Sequence, residues 1–184
     1  MNSFNQLLLT YDSAKEALLR NNGELIQCVW AFNFKNNSEC ISQSELFFEE
    51  VKHQDLIDRE QVEHYYYNMI LNGLKHKIGE VDYSSDVLLD NRRIVFTNDD
   101  CISFIQFLIR DKIYLTVNLR SSDFLNALPS DIKFFCKIPK EITDFLTTNF
   151  IKTNKKKENI NIIKDLNEKE VQLLITFGSL HIRS

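Results

Sequence analysis

The sequence predicts one α+β domain built on a mostly buried mixed sheet covered by helices. Three observations lead there. Apolar runs rich in β-branched and aromatic residues, RRIVFT (92–97), CISFIQFLIR (101–110) and IYLTVNL (113–119), follow one another closely, as neighbouring strands do. Segments with helical spacing of apolar residues stand on both sides of that block. The 184 residues suffice for one sizeable core, and four Gly and two Pro are too few for a loop-rich fold.

Phe4, Leu7, Leu8, Tyr11, Ala14 and Leu18 recur at helical spacing, so residues 3–20 form the first predicted helix, stopped by Asn21-Asn22-Gly23. ELIQCVWAFNF (24–34) reads as a strand. The polar KNNSECISQS leads to a short helix near 43–52, and a longer one covers Asp58 to about Lys77. The strands at 101–110 and 113–119 are joined through Asp111-Lys112, a gap that suits a tight hairpin. On the second of these, Tyr114, Thr116, Asn118 and Arg120 share one face, which alternation assigns to a cleft. Residues 123–136 and 139–149 read as two helices, the second opened by Pro139. KTNKKKEN (152–159) is a solvated basic loop, and VQLLITF (171–177) a final buried strand.

A net charge of −4 excludes a broad nucleic-acid-binding surface, so a bound phosphate has to be held by a local Arg cluster. The four Cys (28, 40, 101, 136) contain no Cys-x-x-Cys pair, and with four scattered His they predict no metal site. The first residues lack a basic segment followed by an apolar core, and no stretch reaches the roughly 18 apolar residues of a membrane span. A cytoplasmic protein with reduced thiols is the expectation.

Locally, Arg120-Ser121-Ser122-Asp123 reads as a helix start, since all three residues after the Arg are good N-caps. The same residues also suit an anion site. Arg92 and Arg93 read as surface charges opening a strand, and Cys101 as a packing residue.

Order and spacing add more. The double Arg92-Arg93, Cys101 opening a strand that carries Phe104-Ile105-Gln106-Phe107, then Arg120-Ser121-Ser122-Asp123 and Leu128-Pro129-Ser130-Asp131 stand in sequence. So ordered, residues 90–132 resemble the central segment of the thymidylate synthases and cytidylate hydroxymethylases. Gly178-Ser179-Leu180-His181-Ile182 resembles the family's C-terminal Gly-x-x-His motif. The resemblance implies a thymidylate synthase-like fold and a pyrimidine nucleoside monophosphate C5 transferase or hydroxymethylase. Cys101 is then the thiolate that adds to C6 of the ring, its ionisation favoured by Arg120. Arg120 and Ser121 hold the phosphate, joined by Arg92 and Arg93 from the second subunit of a homodimer with a shared active site. Asp131 stands where relatives acting on uracil carry Asn, and a carboxylate accepts from an exocyclic amine, which points to dCMP or CMP. His181 lies near the sugar, Glu45 in SELFF handles proton transfers, and Asp123 contacts the cofactor 5,10-methylenetetrahydrofolate.

Departures from the pattern point to a second expectation, a degenerate member that binds a pyrimidine nucleotide or serves as a non-catalytic dimer partner. The family's Pro-Cys-His is Asp100-Cys101-Ile102 here, and Asp99 and Asp100 oppose thiolate formation. Arg183 replaces a Tyr, and the chain ends at Ser184, short of the family's folate-closing tail. The only Trp, Trp30, lies in a strand rather than in a folate-lining segment.

Overall fold

The computed structural model describes residues 2–52, 64–79, 94–98, 100–153 and 165–182. In chain order these form α1 (Ser3–Arg20), β1 (Glu24–Phe34), α2 (Asn37–Val51), α3 (His64–Gly79), β2 (Val95–Thr97), β3 (Ile102–Ile109), β4 (Ile113–Asp123), α4 (Leu128–Thr153), a 3-10 turn (Asp165–Glu168) and β5 (Val171–His181). The α+β class and single domain expected from the sequence stand. The predicted starts at Asp58 and at Arg92-Arg93, Asp99, the basic stretch from 154 and Arg183 lie outside the described residues.

The five strands run in the order β1-β5-β4-β3-β2, antiparallel except for the central β4–β5 pair, which is parallel. One face is buried: Phe32 and Phe34, Ile105 and Phe107, Leu115 and Val117, and Leu173 and Ile175 all meet the helices there. Each such side chain contributes about 1.5–3 kcal/mol of burial. The other face carries Val29, Gln106, Thr116, Asn118, Gln172, Leu174 and Thr176, and among the described residues no helix covers it. Tyr114, Thr116 and Asn118 therefore face this open side.

The helices have local causes. Asn2 accepts from Asn5 N and starts α1, whose Leu7, Tyr11, Ala14 and Leu18 are buried at the predicted spacing. Helix α2 starts before the predicted residue 43, because Asn36 accepts from Glu39 N while the Glu39 carboxylate accepts from Lys35 N. This reciprocal cap satisfies two otherwise orphaned donors. Helix α4 is continuous through Pro139, where two helices were expected. An interior Pro costs about 3 kcal/mol, and the buried side chains Ile132, Phe135, Ile138, Ile142 and Leu146 on both sides of it offset that. The 3-10 turn is tied in by Asn167, which accepts from Asn37 Nδ2 at 3.0 Å and Thr143 Oγ1 at 2.9 Å.

Strands β4 and β5 run further than expected, to Asp123 and His181. Both change phase on the way. Burial alternates on odd residues up to Leu119 and Phe177, pauses for two positions, then resumes at Ser122 and Leu180. The pause lies on one row across the sheet: Arg120 and Gly178 are an unpaired step between β4 and β5, and Gln27 faces Gly178 in β1 with φ +54°. Beside them, β3 shifts register between Ile102 and Phe104. Such irregularities bend a sheet and re-aim the side chains beyond them. The β3–β4 turn spans Arg110–Lys112, with Ile109 opposite Ile113.

Candidate functional site

Beyond that row the strand ends open into a cleft of about 280 Å³, lined by Cys101, Ser121, Ser122, Asp123, Asn126, Ala127, Asp131 and His181. Parallel pairing sets Ser121 beside Ser179 and Asp123 beside His181, and the chain is tied there by Phe124 N donating to His181 O at 2.7 Å. On the opposite side Arg120 N donates to Cys101 O at 2.7 Å, which carries Cys101 to the same rim. Cys101 is the exposed cysteine of the four, whereas Cys40 and Cys136 are buried and Cys28 is half-buried. Burial first, and then the neighbouring Cys136, pushes the Cys40 thiol up. An exposed thiol beside a cleft is available for nucleophilic chemistry in a way buried ones are not.

Asp131 enters from the first turn of α4, where the helix dipole favours a carboxylate. It is 8% exposed and accepts from Tyr67 Oη at 2.9 Å. Asp123 is committed differently. Its Oδ1 accepts from Leu125 N and Asn126 N, and its Oδ2 from Asn126 Nδ2, all at 3.1 Å. The carboxylate thus caps the turn that leads into α4. That part of the helix-start reading of Arg-Ser-Ser-Asp holds, although the residues themselves belong to β4.

Cys101, Ser121, Asp123, Asp131 and His181 are therefore brought together, and two of the sequence-derived residues are not. Arg120 has turned to the open side of the sheet, where it lines a shallow depression with Gln27, Cys28, Asn118 and Gly178. Its Nε donates to Asp100 O at 2.7 Å, and its Nη2 to the same oxygen. Glu45 is exposed on α2, and among the described residues it does not line the cleft. Arg92 and Arg93 lie outside the described residues.

Two tyrosines of α3 were missed by sequence reasoning. Tyr67 is buried against Phe134, rings stacked 4.1 Å apart, and Tyr66 packs beside it. The Tyr66 phenol is pushed up to about 12, chiefly by burial and further by the negative charge of Asp100, Asp131 and Cys101. The available signal was the Tyr65-Tyr66-Tyr67 run, in which only one of three neighbours on a helix reaches the core; Tyr65 stands out in solvent. Ser122, part of the candidate anion site in the sequence, is 5% exposed and its hydroxyl has no partner among the described residues.

Among the described residues no cluster of His, Cys, Asp and Glu could hold a metal ion, and no helix is long and apolar enough to cross a membrane. No protein-family model matches the chain, and none of the curated proteins matches it either.

Proposed function

We propose that this protein binds a pyrimidine nucleoside monophosphate, with a cytosine ring, in the cleft at the ends of β4 and β5, and that Cys101 adds to C6 of the ring. The observation that carries the reading is convergence: Cys101, Ser121, Asp131 and His181, drawn from three strand ends and one helix start, line one cleft. They match the order of the motif shared with thymidylate synthases and cytidylate hydroxymethylases. In the reaction the thiolate forms an S–C6 bond and the C5=C6 electron pair moves to C5. Carbon 5 takes a proton from solvent, and reversal expels the original C5 proton and the thiolate. Asp131 accepts from the ring amine, Ser121 contacts the phosphate, and His181 the sugar. Phosphate charge is balanced by Arg92 and Arg93 of a second copy and by Arg120 if it swings from Asp100. The second copy covers the open sheet face, where Val29 and Ile26 are 60% and 63% exposed. Sedimentation equilibrium tests that pairing; a monomer at all concentrations would remove it.

A second reading is binding without group transfer. It is favoured by the turn-capping role of Asp123, the place of Glu45 outside the cleft lining among the described residues and the engagement of Arg120 with Asp100. Deuterium exchange at C5 of dCMP and CMP in D₂O, followed by proton NMR, separates the two. Exchange that disappears in Cys101→Ala supports nucleophilic addition. Binding without exchange, unchanged in that variant, supports the second reading, and the absence of both binding and exchange overturns both.

A further inference from the structure

We infer that Ser122 is a further ligand-binding residue, whose buried hydroxyl pairs with a hydroxyl of the ligand's sugar; the inference rests on the nucleotide reading above. Ser122 is 5% exposed, and its Oγ is one of two buried side-chain polar atoms without a hydrogen-bond partner among the described residues. The other, Asn37 Oδ1, belongs to an amide already tied to Thr143 and Asn167 through its nitrogen. Of the two residues, Ser122 lines the cleft at the strand ends. A hydroxyl buried without a partner costs stability, so the position calls for one, and the cleft is where it can enter.

The sheet brings this hydroxyl to the cleft wall. After the interrupted row at Arg120 and Gly178, burial resumes at Ser122 and Leu180, which stand opposite each other in β4 and β5. Packing gives no reason for a hydroxyl here, since Leu180 beside it is apolar and fully buried. Side chains alternate along a strand, so Ser121 and Ser122 point to opposite faces of β4 and meet different groups of one ligand. Ser122 lies between the Ser121–Ser179 and Asp123–His181 pairs, next to the His181 end where the nucleotide reading puts the sugar. Among the described residues the lining holds two acidic side chains, Asp123 and Asp131, and no Lys or Arg. That charge disfavours a phosphate oxygen at Ser122 and suits an uncharged partner. A sugar hydroxyl both donates and accepts, so it satisfies the serine whichever way the serine proton turns.

Calorimetric titration of the full chain with cytidine 5′-monophosphate and its 2′,3′-dideoxy analogue, which keeps the base and the phosphate, tests this. Wild-type protein is expected to prefer the ribonucleotide. Ser122→Ala is expected to cut that preference about fivefold with the affinity for the dideoxy analogue little changed, a double comparison that isolates the hydroxyl pair. Without ligand, Ser122→Ala should melt about 3 °C higher, because an unpaired buried hydroxyl has been removed. A lower midpoint would show the hydroxyl paired within the fold and overturn the inference. So would a variant that keeps the preference undiminished, a variant that loses affinity for both nucleotides equally, or wild-type protein that binds the two alike; each leaves the nucleotide reading standing. Wild-type protein that binds neither nucleotide overturns the nucleotide reading itself.

Discussion

Replacing Gly178 by Ala probes the row on which the cleft depends. A Cβ built there lies 2.6 Å from Arg120 O, 3.4 Å from Arg120 C and 3.6 Å from Arg120 Cα, and real Cβ atoms essentially never approach within 3.0 Å. The obstacle is backbone of the neighbouring parallel strand, so it cannot swing aside as a side chain would. Strand β4 must separate from β5 by at least about 0.4 Å at this step, which stretches the ladder bonds on either side. Overpacking of this kind costs about 1–3 kcal/mol, and weakening one or two ladder bonds adds about 1 kcal/mol, so the total is about 2–4 kcal/mol. For a chain of this length the thermal midpoint should drop by about 5–12 °C. Circular dichroism melts of Gly178→Ala and of Gly79→Ala make the comparison, since a Cβ at Gly79 meets nothing within 4 Å. Equal midpoints for the two variants would refute the close approach of β4 and β5. The cleft should suffer with the fold: on the proposed nucleotide reading the affinity of Gly178→Ala should fall, because Ser121 and Ser122 directly follow the displaced residue.

Other consequences are simpler to state. Tyr11 is pushed up to about 12, chiefly by burial, then by Asp12 and Asp123; the phenol stays neutral in the fold while the unfolded chain ionises near 10. Its contribution is therefore complete below pH 10 and is lost as pH rises through 12, about 2 kcal/mol in all, and urea melts of Tyr11→Phe should lack that part of the alkaline decline. Ser122→Ala removes a buried hydroxyl without a partner among the described residues and should raise stability by about 1 kcal/mol, read as a higher denaturation midpoint. Asn167→Ala removes one partner each from Asn37 Nδ2 and Thr143 Oγ1, which keep their bond to one another and the bond to Lys140 O, and should lower stability by about 1 kcal/mol in the same assay.

Helical periodicity located α1 to the residue, since Leu7, Tyr11, Ala14 and Leu18 need only spacing to be recognised. The start of α2 was hidden because KNNSEC is polar; its cap is visible only as Asn36 followed by Glu39. Continuity of α4 was not legible at all. Proline chemistry argues for a break at Pro139, and only the packing of both halves into one core overrides it. The site was partly legible. Motif order grouped Cys101, Ser121, Asp123, Asp131 and His181, which line one cleft, and alternation put Arg120 on the face it shares with Asn118, away from that cleft. Alternation fails only beyond Arg120, because it assumes an uninterrupted pleat and the Gln27, Gly178 and Arg120 row interrupts it. Tyr67 was out of reach because its partner is 64 residues away.

The same row explains why a cleft exists here. On an unbroken pleat, Leu119 and Phe177 would be followed by Ser121 and Ser179 on the helix-covered face, with Ser122 and Leu180 on the open one. The slip reverses this. Ser122 and Leu180 become buried, and Ser121 is left half-exposed at the rim beside Asp123 and His181. Parallel pairing of β4 with β5 then makes two segments far apart in sequence act as one wall, with Asp123 directly opposite His181. Helix α4 begins only five residues after that wall ends, after a turn held by the Asp123 carboxylate. Asp131 consequently faces the strand ends at a distance set by backbone, not by flexible side chains. The turn, the slip and the parallel pair each act on the main chain. On the proposed nucleotide reading, Asp131→Asn should therefore change what the cleft selects before it changes whether the cleft forms.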